Sequence, residues 1–364
     1  MKRADIAVNI KDNLKDEIAN KITGDIYAIA KGLKLSPARL YEYFIWKKSE
    51  VPLSIVFELS RIFRIPNKII EDNIISYKQL HVPSKNAVKN PNLPIKVSPY
   101  FTSIVANLFF DGSVPEDGKG TYYNQKNKEI MGDFINKVIY VFGDVNYSLV
   151  TDHRGVLKCR IPRIIGEICR QVYNVKSFGT FNSRVPKRVF KLDEEHKIAF
   201  VLTGIIDEGS IAYDGSVIFG VSNRNMIYDF KRLCEHIGLK TGKVKYRNKS
   251  GHYYIYIKSI KKLHQIVKSF NEKYPLINLR HKRQRLIKSL QIRNQKSYHT
   301  HDFAEKRKLL VLEELRKSRC SINYLADKLL ICPRTLRRYM GTFIKIRKVS
   351  RIKCKNEFIY YSLG

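Results

Sequence analysis

Two acidic residues stand side by side near the middle of the chain, in the segment LTGIIDEGS at 202–210. The apolar and small residues before Asp207 and Glu208 predict a helix that ends at these acids, and Gly209 follows. Acidic side chains at the C-terminal, negative end of a helix cost electrostatic free energy. We favour a bound metal ion as the group that offsets this cost.

A second acid–glycine–serine sequence, Asp111-Gly112-Ser113, ends the apolar segment IVANLFFDGSV. It belongs to an internal repeat, because 99–173 matches 197–270 at an offset near 96 residues. NKEIMGDFINKV faces NRNMIYDFKRLC, and RGVLKCRIP faces SGHYYIYIK. Each half is predicted as helix, strand pair, helix, strand pair, helix. The sequence therefore predicts an α+β fold with a pseudo-symmetric two-repeat core, with repeats at 99–190 and 191–290.

This repeat, with an acid–glycine end on each leading helix, resembles the LAGLIDADG homing endonuclease family in its single-chain, two-motif form. The resemblance covers roughly residues 99–290. It implies that the two motif helices pack side by side and that Asp111 and Glu208 meet at their ends. These carboxylates would bind Mg²⁺ and take part in phosphodiester hydrolysis. The small residues that would allow the close approach are Ser103, Ala106, Thr203 and Gly204. The following glycines are expected to adopt the left-handed conformation that ends many helices.

The resemblance also implies a lysine near the scissile phosphate in each half. Lys258 matches in the second half, whereas the first half has Pro162, so that Lys158 or Arg160 would have to substitute. Asn223, and less securely Asn127, would order water.

Several positions depart from the family pattern. Phe109 and Phe110 stand where the consensus has Asp and Ala, and Glu208 replaces the usual Asp. These departures leave room for a nickase, or for a protein that binds DNA without cutting it.

The N-terminal part, 1–82, is predicted to be helical over 18–72 and resembles a Cro/repressor helix-turn-helix. Ser36 is the expected N-cap of a recognition helix at 37–44, which would present Arg39 and Tyr41 to DNA. A plain three-helix bundle with a basic surface is the alternative. The proline-containing stretch 83–98 is predicted to be a linker.

The C-terminal part, 301–364, is predicted as three helices and a strand hairpin, the order of a winged helix-turn-helix. The third helix, opened by Pro333, is the predicted recognition helix. The residues expected to contact DNA there and on the wing are Arg334, Arg337, Arg338 and Lys353.

The composition favours a polyanionic partner, because 68 Lys and Arg face 33 Asp and Glu, a formal net charge of +35. The six cysteines form no CxxC pair, which predicts reduced, packing thiols. No apolar run approaches the length of a membrane span. We therefore expect a cytoplasmic monomer that binds double-stranded DNA and no membrane.

Three functions stay open from the sequence. The first is a site-specific, Mg²⁺-dependent DNA endonuclease of homing type. The second is a transcriptional regulator built on an inactive core of this kind, and the third is an RNA intron maturase. The chain lacks the terminal residues of an intein, so a free-standing protein is expected.

Overall fold

The computed structural model describes residues 6–48, 50–115, 120–212, 216–248, 251–295, 301–354 and 357–363. One large hydrophobic cluster runs through the N-terminal part and both repeats, whereas the C-terminal part has a smaller cluster of its own. The N-terminal part is therefore packed onto the repeats.

The N-terminal part combines helices with an antiparallel sheet. Its elements are β1 (Ile6–Ile10), α1 (Asp12–Ile22), α2 (Ile26–Gly32), α3 (Pro37–Leu40), β2 (Val51–Pro52), α4 (Leu53–Phe63), α5 (Asn67–Asn73), β3 (Ile74–Gln79) and β4 (Val88–Lys89). The strand order is β2-β1-β3-β4-β7, in which β7 (Asp144–Val145) comes from the first repeat. This sheet joins the N-terminal part to the core.

The stretch 83–98 is not the linker that its prolines indicate. Its strand β4 pairs with β3 and with β7, and Val88 is fully buried between them. The Asn92 side chain donates to the carbonyl of Tyr140 at 2.9 Å. Prolines are tolerated outside a short strand, and Pro83 and Pro91 flank β4 without interrupting its hydrogen bonds.

The predicted recognition helix at 37–44 forms only in part. It begins at Pro37 after an extended Ser36, whose side chain makes no capping hydrogen bond. The α-helical part ends at Leu40 and continues as a π-helical turn, Tyr41–Ile45. Strand β2 also interrupts the predicted helical region. A helix-turn-helix function for this part stays a prediction.

The middle of the chain has the predicted order of elements in both halves, except that the first half has the additional short strand β7. The first half comprises α6 (Pro99–Phe110), β5 (Gly112–Ser113), β6 (Thr121–Gln125), α7 (Lys128–Phe142), β7, β8 (Ser148–Thr151), β9 (Leu157–Ile161) and α8 (Arg163–Val172). After α9 (Lys187–Lys191), the second comprises α10 (Glu194–Asp207), β10 (Gly209–Ile211), β11 (Val217–Val221), α11 (Arg224–His236), β12 (Lys245–Arg247), β13 (His252–Ile257) and α12 (Ile260–Lys273). The antiparallel sheets have corresponding orders, β5-β6-β9-β8 and β10-β11-β13-β12.

Helices α6 and α10 pack against each other at the centre of the core. Small side chains line their contact, and the hydroxyls of Ser103 and Thr203 lie 2.7 Å apart. A Cβ on Gly204 would lie 2.6 Å from the Phe230 ring and 3.0 Å from the Phe110 ring, so a larger residue there would displace these rings. Residues 99–109 of α6 are all buried, as expected for a helix that is covered on every side.

Two arginines tie the halves together. Arg184 donates two hydrogen bonds, of 2.9 and 2.8 Å, to the carboxylate of Asp229 on α11. Arg280 also donates two hydrogen bonds to the carboxylate of Asp133 on α7. The one from Nε is 2.7 Å long, and the other comes from Nη2. The two arginines and the two aspartates are each separated by 96 residues. Each half thus contacts the second helix of the other.

The C-terminal part contains the predicted helices and hairpin. Helix α13 (His281–Gln295) precedes it, and its elements are α14 (His301–Lys317), β14 (Cys320–Ser321), α15 (Ile322–Leu329), α16 (Pro333–Lys345), β15 (Val349–Cys354) and β16 (Glu357–Ser362). Ser321 caps α15 by accepting from the backbone of Tyr324. The strand order is β14-β16-β15.

All six cysteines are free, and only Cys354 is exposed, which confirms that they are mainly packing residues. Within the described ranges, no helix is long and apolar enough to cross a membrane.

Candidate active site

Asp111 and Glu208 occupy equivalent positions, one residue beyond the ends of α6 and α10. The backbone N–H of each still donates to a carbonyl of its helix, Asp111 to Asn107 at 3.2 Å and Glu208 to Gly204 at 2.9 Å. Asn124 on β6 donates from its backbone and its side chain to the Asp111 carbonyl. Both acids are therefore held by regular structure.

The glycines after these acids allow the chain to pass close to its own helix. They do not adopt the left-handed conformation that the sequence predicts. Neither Gly112 nor Gly209 has a positive φ. A Cβ on Gly112 would lie 2.4 Å from the Leu108 Cα, and one on Gly209 would lie 2.7 Å from the Ile205 Cα. The chain turns back onto its own helix in the same way in both repeats. Gly143 and Gly238, after the second helices, do have positive φ, of 107° and 72°.

Gly112→Ala and Gly209→Ala are expected to destabilise the fold, each by about 2–4 kcal/mol, because the added Cβ meets backbone atoms that cannot move aside. Urea unfolding of each variant measures this change. Gly132→Ala on α7 is the matched control, since its Cβ would have nothing within 4 Å. A loss as small as that of the control would contradict the close approach.

Asp207, the acid next to Glu208, is partly buried and turns its carboxylate toward the core. Its carboxylate accepts from the Asn107 side chain at 2.9 Å and from the Tyr123 hydroxyl at 2.7 Å. Burial is the main reason that its pKa is well above the usual value, and the nearby Asp111 raises that pKa further. Asp207 is thus a structural acid that locks α10 to α6 and β6.

A buried lysine completes this polar network. Lys137 on α7 donates to Ser103 Oγ at 2.8 Å and to Asn107 Oδ1 at 2.7 Å. Burial lowers the pKa of Lys137 to about 8, against the opposing effect of Asp207. Lys137 was not among the predicted site residues. The sequence feature that could have identified Lys137 is its position on the apolar face of α7, which it shares with Phe134 and Val141.

Lys282, near the start of α13, is a second cation that the sequence did not indicate. Its Nζ donates to the carbonyls of Ile205, Ile206 and Gly209, at 3.0, 2.5 and 2.7 Å. These carbonyls belong to the C-terminal end of α10, where an ammonium is favourable. The electrostatic cost of acids at this end is therefore offset by a side chain of the protein itself.

The pKa values of the two partly buried acids, Asp111 and Glu208, differ from those of ordinary carboxyls. Burial raises the pKa of Asp111 to about 6, and Lys282 opposes the increase. Burial and then the charge of Asp111 raise the pKa of Glu208 to about 7, again against Lys282. The charge of Asp111 thus opposes ionisation of Glu208.

The contribution of Asp111 and Glu208 to the free energy of unfolding is expected to fall as the pH rises from about 4 to about 7. The unfolded chain releases these protons near the ordinary values, 3.8 and 4.5, whereas the fold retains them to about 6 and about 7. The folded state thus binds more protons in this window, so that raising the pH destabilises it. At about 1.36 kcal/mol per pKa unit, the loss is at most about 3 kcal/mol for each acid.

Urea unfolding between pH 4 and 8 in EDTA measures this loss. The comparison is with the Asp111→Asn, Glu208→Gln double variant, in which the two groups no longer titrate. A difference between the two proteins that does not change with pH would contradict the raised pKa values.

The basic residues predicted for the first half lie on the exposed face of its sheet. Lys158 and Arg160 alternate with buried residues along β9, and both cations lie over the ring of Tyr122, at 4.2 and 5.7 Å from its centroid. In the second half, Lys258 follows β13 and is exposed, beside a cavity of about 640 Å³ that Lys243 and Lys245 also line.

Asn223 has a structural role in the fold. Its Oδ1 accepts from the backbone of Asn225 and Met226, which caps α11, and its Nδ2 donates to Ser183. Asn127 caps α7 in the same manner, through the backbone of Ile130. Since these polar atoms are already used in the fold, a role in ordering water is not supported by the geometry.

The residues predicted to contact DNA from the two ends of the chain are mostly exposed. Arg334, Arg337 and Arg338 lie on the outer face of α16, and Lys353 is exposed on β15. Arg39 forms an ion pair with Glu42 at 2.8 Å. Tyr41 packs against Trp46, with ring centroids 5.8 Å apart.

No protein-family model and no curated protein matches the sequence. Among solved structures, the homing endonuclease I-DmoI in complex with DNA and Mn is 11% identical, with a TM-score of 0.35 over 46% of this chain and 94% of I-DmoI. The N-terminal LAGLIDADG domain of DUF199/WhiA is 12% identical, with a TM-score of 0.34 over 49% of this chain and 86% of that domain. Full-length DUF199/WhiA from Thermatoga maritima is 12% identical, with a TM-score of 0.35 over 70% of this chain and 93% of its own. Similarity at this level does not assign an activity.

Proposed function

We propose that this chain is a site-specific, Mg²⁺-dependent DNA endonuclease of homing type, acting as a monomer with a pseudo-dimeric core. The observation that supports it most is the equivalent placing of Asp111 and Glu208 at the ends of two packed helices. Each is followed by a glycine that makes the same close contact with its own helix. A pair of acids that repel each other at such a place is the expected form of a site for a cation.

The donor set fits Mg²⁺ when DNA is present. Within the described part of the chain, no group of three or more Asp, Glu, His or Cys side chains is arranged to hold a metal ion. Mg²⁺ is commonly bound through one or two carboxylates together with substrate phosphates. Asp111 and Glu208 would hold the ion, which supplies activation of water and charge stabilisation at the leaving oxygen.

The exposed sheet faces would carry the DNA. Tyr122, Lys158 and Arg160 offer stacking and phosphate contacts in the first half. In the second half, Arg247 lies 5.2 Å from the Tyr254 ring centroid and Lys245 lies 5.9 Å from that of Tyr256. The terminal parts would extend the recognised site through Arg39, Tyr41 and the basic residues of α16 and β15.

Selection of bound DNA from a random or genomic pool, followed by incubation with Mg²⁺ or Ca²⁺, tests this function. Cuts at one site in Mg²⁺ but not in Ca²⁺ are expected, and their stagger shows whether both strands are cut. Intact complexes under both conditions would contradict the nuclease.

A DNA-binding transcriptional regulator is the second candidate. The observation in its favour is Lys282, which already supplies a positive charge beside Asp111 and Glu208. A regulator needs DNA binding through the core and the C-terminal part but no cation at the acids. Tight complexes that stay intact with Mg²⁺ would favour it, and preferential selection of RNA would favour a maturase.

A further inference from the structure

Lys282 closes the C-terminal end of α10. The last carbonyls of a helix have no partner within the helix and need an outside donor. The ammonium of Lys282 donates to the carbonyls of Ile205, Ile206 and Gly209, all within 3.0 Å. Three carbonyl acceptors match the three N–H groups of an ammonium.

The same ammonium acts on the acids of both repeats. Burial lowers the pKa of Lys282, and the charges of Asp207, Asp111 and Glu208 oppose this. In turn, Lys282 is the cation that favours ionisation of both Asp111 and Glu208. The side chain thus lies where a positive charge stabilises both ends of the helix pair.

Neighbouring contacts fix Lys282 in this place. Arg280 holds the carboxylate of Asp133 in the first repeat. Asn127 Nδ2 donates to His281 Nδ1 at 3.4 Å, also from the first repeat. Further along α13, Ser289 Oγ lies 3.0 Å from the Ala212 carbonyl and 2.7 Å from the Arg285 carbonyl, and its hydroxyl can donate to either. The start of α13 is therefore anchored on both repeats, and Lys282 lies between the anchors.

The position of the first repeat that is equivalent to Lys282 carries no ammonium. Arg184 corresponds to Arg280 through its matching ion pair with Asp229. Two residues after Arg184 stands Pro186, where the second repeat has Lys282. The end of α10 thus has an ammonium that the repeat does not place at the end of α6, where the buried Lys137 donates to Ser103 and Asn107 instead.

We infer that Lys282 is the resident cation of the Asp111–Glu208 pair and competes with a divalent metal ion for it. This inference rests on the metal site of the proposed function. In the metal-free protein the ammonium offsets the repulsion between the carboxylates. A divalent ion between them then has to overcome the repulsion of Lys282, so the acids bind it weakly until the lysine moves or further anionic ligands arrive. DNA phosphates are such ligands, which would make metal binding dependent on DNA.

Titration with Mn²⁺, followed by the electron paramagnetic resonance signal of the free ion, tests the competition without DNA and without any cleavage assay. Lys282→Met keeps the length of the side chain and removes its charge. It is expected to bind Mn²⁺ at least about tenfold more tightly than the unaltered protein, since removal of a nearby like charge favours the divalent ion. Lys282→Arg, which keeps the charge, is expected to bind as weakly as the unaltered protein.

Lys288→Met is the matched control on α13, because Lys288 pairs with the exposed Asp327 and not with the acid site. Circular dichroism confirms that each variant is folded. Equal Mn²⁺ affinity of the unaltered protein and Lys282→Met would overturn the competition while leaving the metal site standing. Weaker binding by Lys282→Met would also overturn it, since the lysine would then organise the site. Absence of Mn²⁺ binding in every variant, with and without the selected DNA, would overturn the metal site itself.

Discussion

The Asp111→Asn, Glu208→Gln double variant is expected to lose DNA cleavage by at least about a thousandfold, because metal-assisted charge stabilisation is worth several kcal/mol. The affinity for the selected DNA should stay within about threefold of that of the unaltered protein, because Asn and Gln keep the shape of the acids. A threefold change corresponds to about 0.7 kcal/mol of binding free energy. Electrophoresis of products in Mg²⁺ measures cutting, and mobility shift in EDTA measures binding without a contribution from a metal ion.

The matched control replaces one exposed acid of each repeat, Asp144→Asn with Glu235→Gln. It removes the same formal charge from the protein and is expected to change neither property. If binding fell together with cutting in Asp111→Asn, Glu208→Gln, the acids would be structural. If cutting continued, neither acid would be a metal ligand.

Removal of Arg280, one of the two arginines that join the repeats, is expected to have the largest effect on stability. Arg280→Ala leaves the Asp133 carboxylate, whose side chain is only 7% exposed, without its ion-pair partner. Breaking a buried pair in this way costs about 3–5 kcal/mol. Arg184→Ala should cost less, about 1–3 kcal/mol, because Arg184 is 59% exposed and solvent screens its pairing with Asp229.

Urea unfolding of the single variants and of the Arg280→Ala, Asp133→Asn double variant completes this test. The double variant should recover part of the lost stability, since no charge is left buried. Arg61→Ala, which removes an exposed pair with Glu58 on α4, is the control and should cost less than about 1 kcal/mol. If Arg280→Ala cost no more than that control, the repeats would not be held together by this contact.

The order of elements in the core could be predicted because it depends on local sequence repeated twice. Asp133-Phe134 and Asp229-Phe230 mark the same place in both second helices, and the acid–glycine pairs mark the ends of both first helices. The partners of Asp133 and Asp229 could not be found in this way. Arg280 and Arg184 lie far along the chain, and the repeat alone does not show that each reaches into the other half.

In the N-terminal part, short elements could not be predicted because they depend on distant partners. Strand β4 is only two residues long, and what makes it a strand is its pairing with β3 and β7, 55 residues further on at Asp144. Such a segment has no periodicity of its own, so its prolines dominate a local interpretation. The short α3 likewise depends on the packing of Leu40 and Phe44, both fully buried.

The sequence by itself determined the two repeats, the α+β order of their elements, the basic charge and the two acid–glycine ends, since each of these is a local pattern or a composition. Tertiary structure alone decided what the adjacent acids do. Asp207 is turned into the core toward Tyr123 and Asn107, whereas Glu208 lies at the surface of the helix pair with Asp111. The tertiary structure also places Lys282 at the end of α10, although Lys282 follows Gly209 by 73 residues in the sequence. Electrostatic interactions act through space, so a sequence pattern can show that a helix ends in acids but not which cation lies beside them.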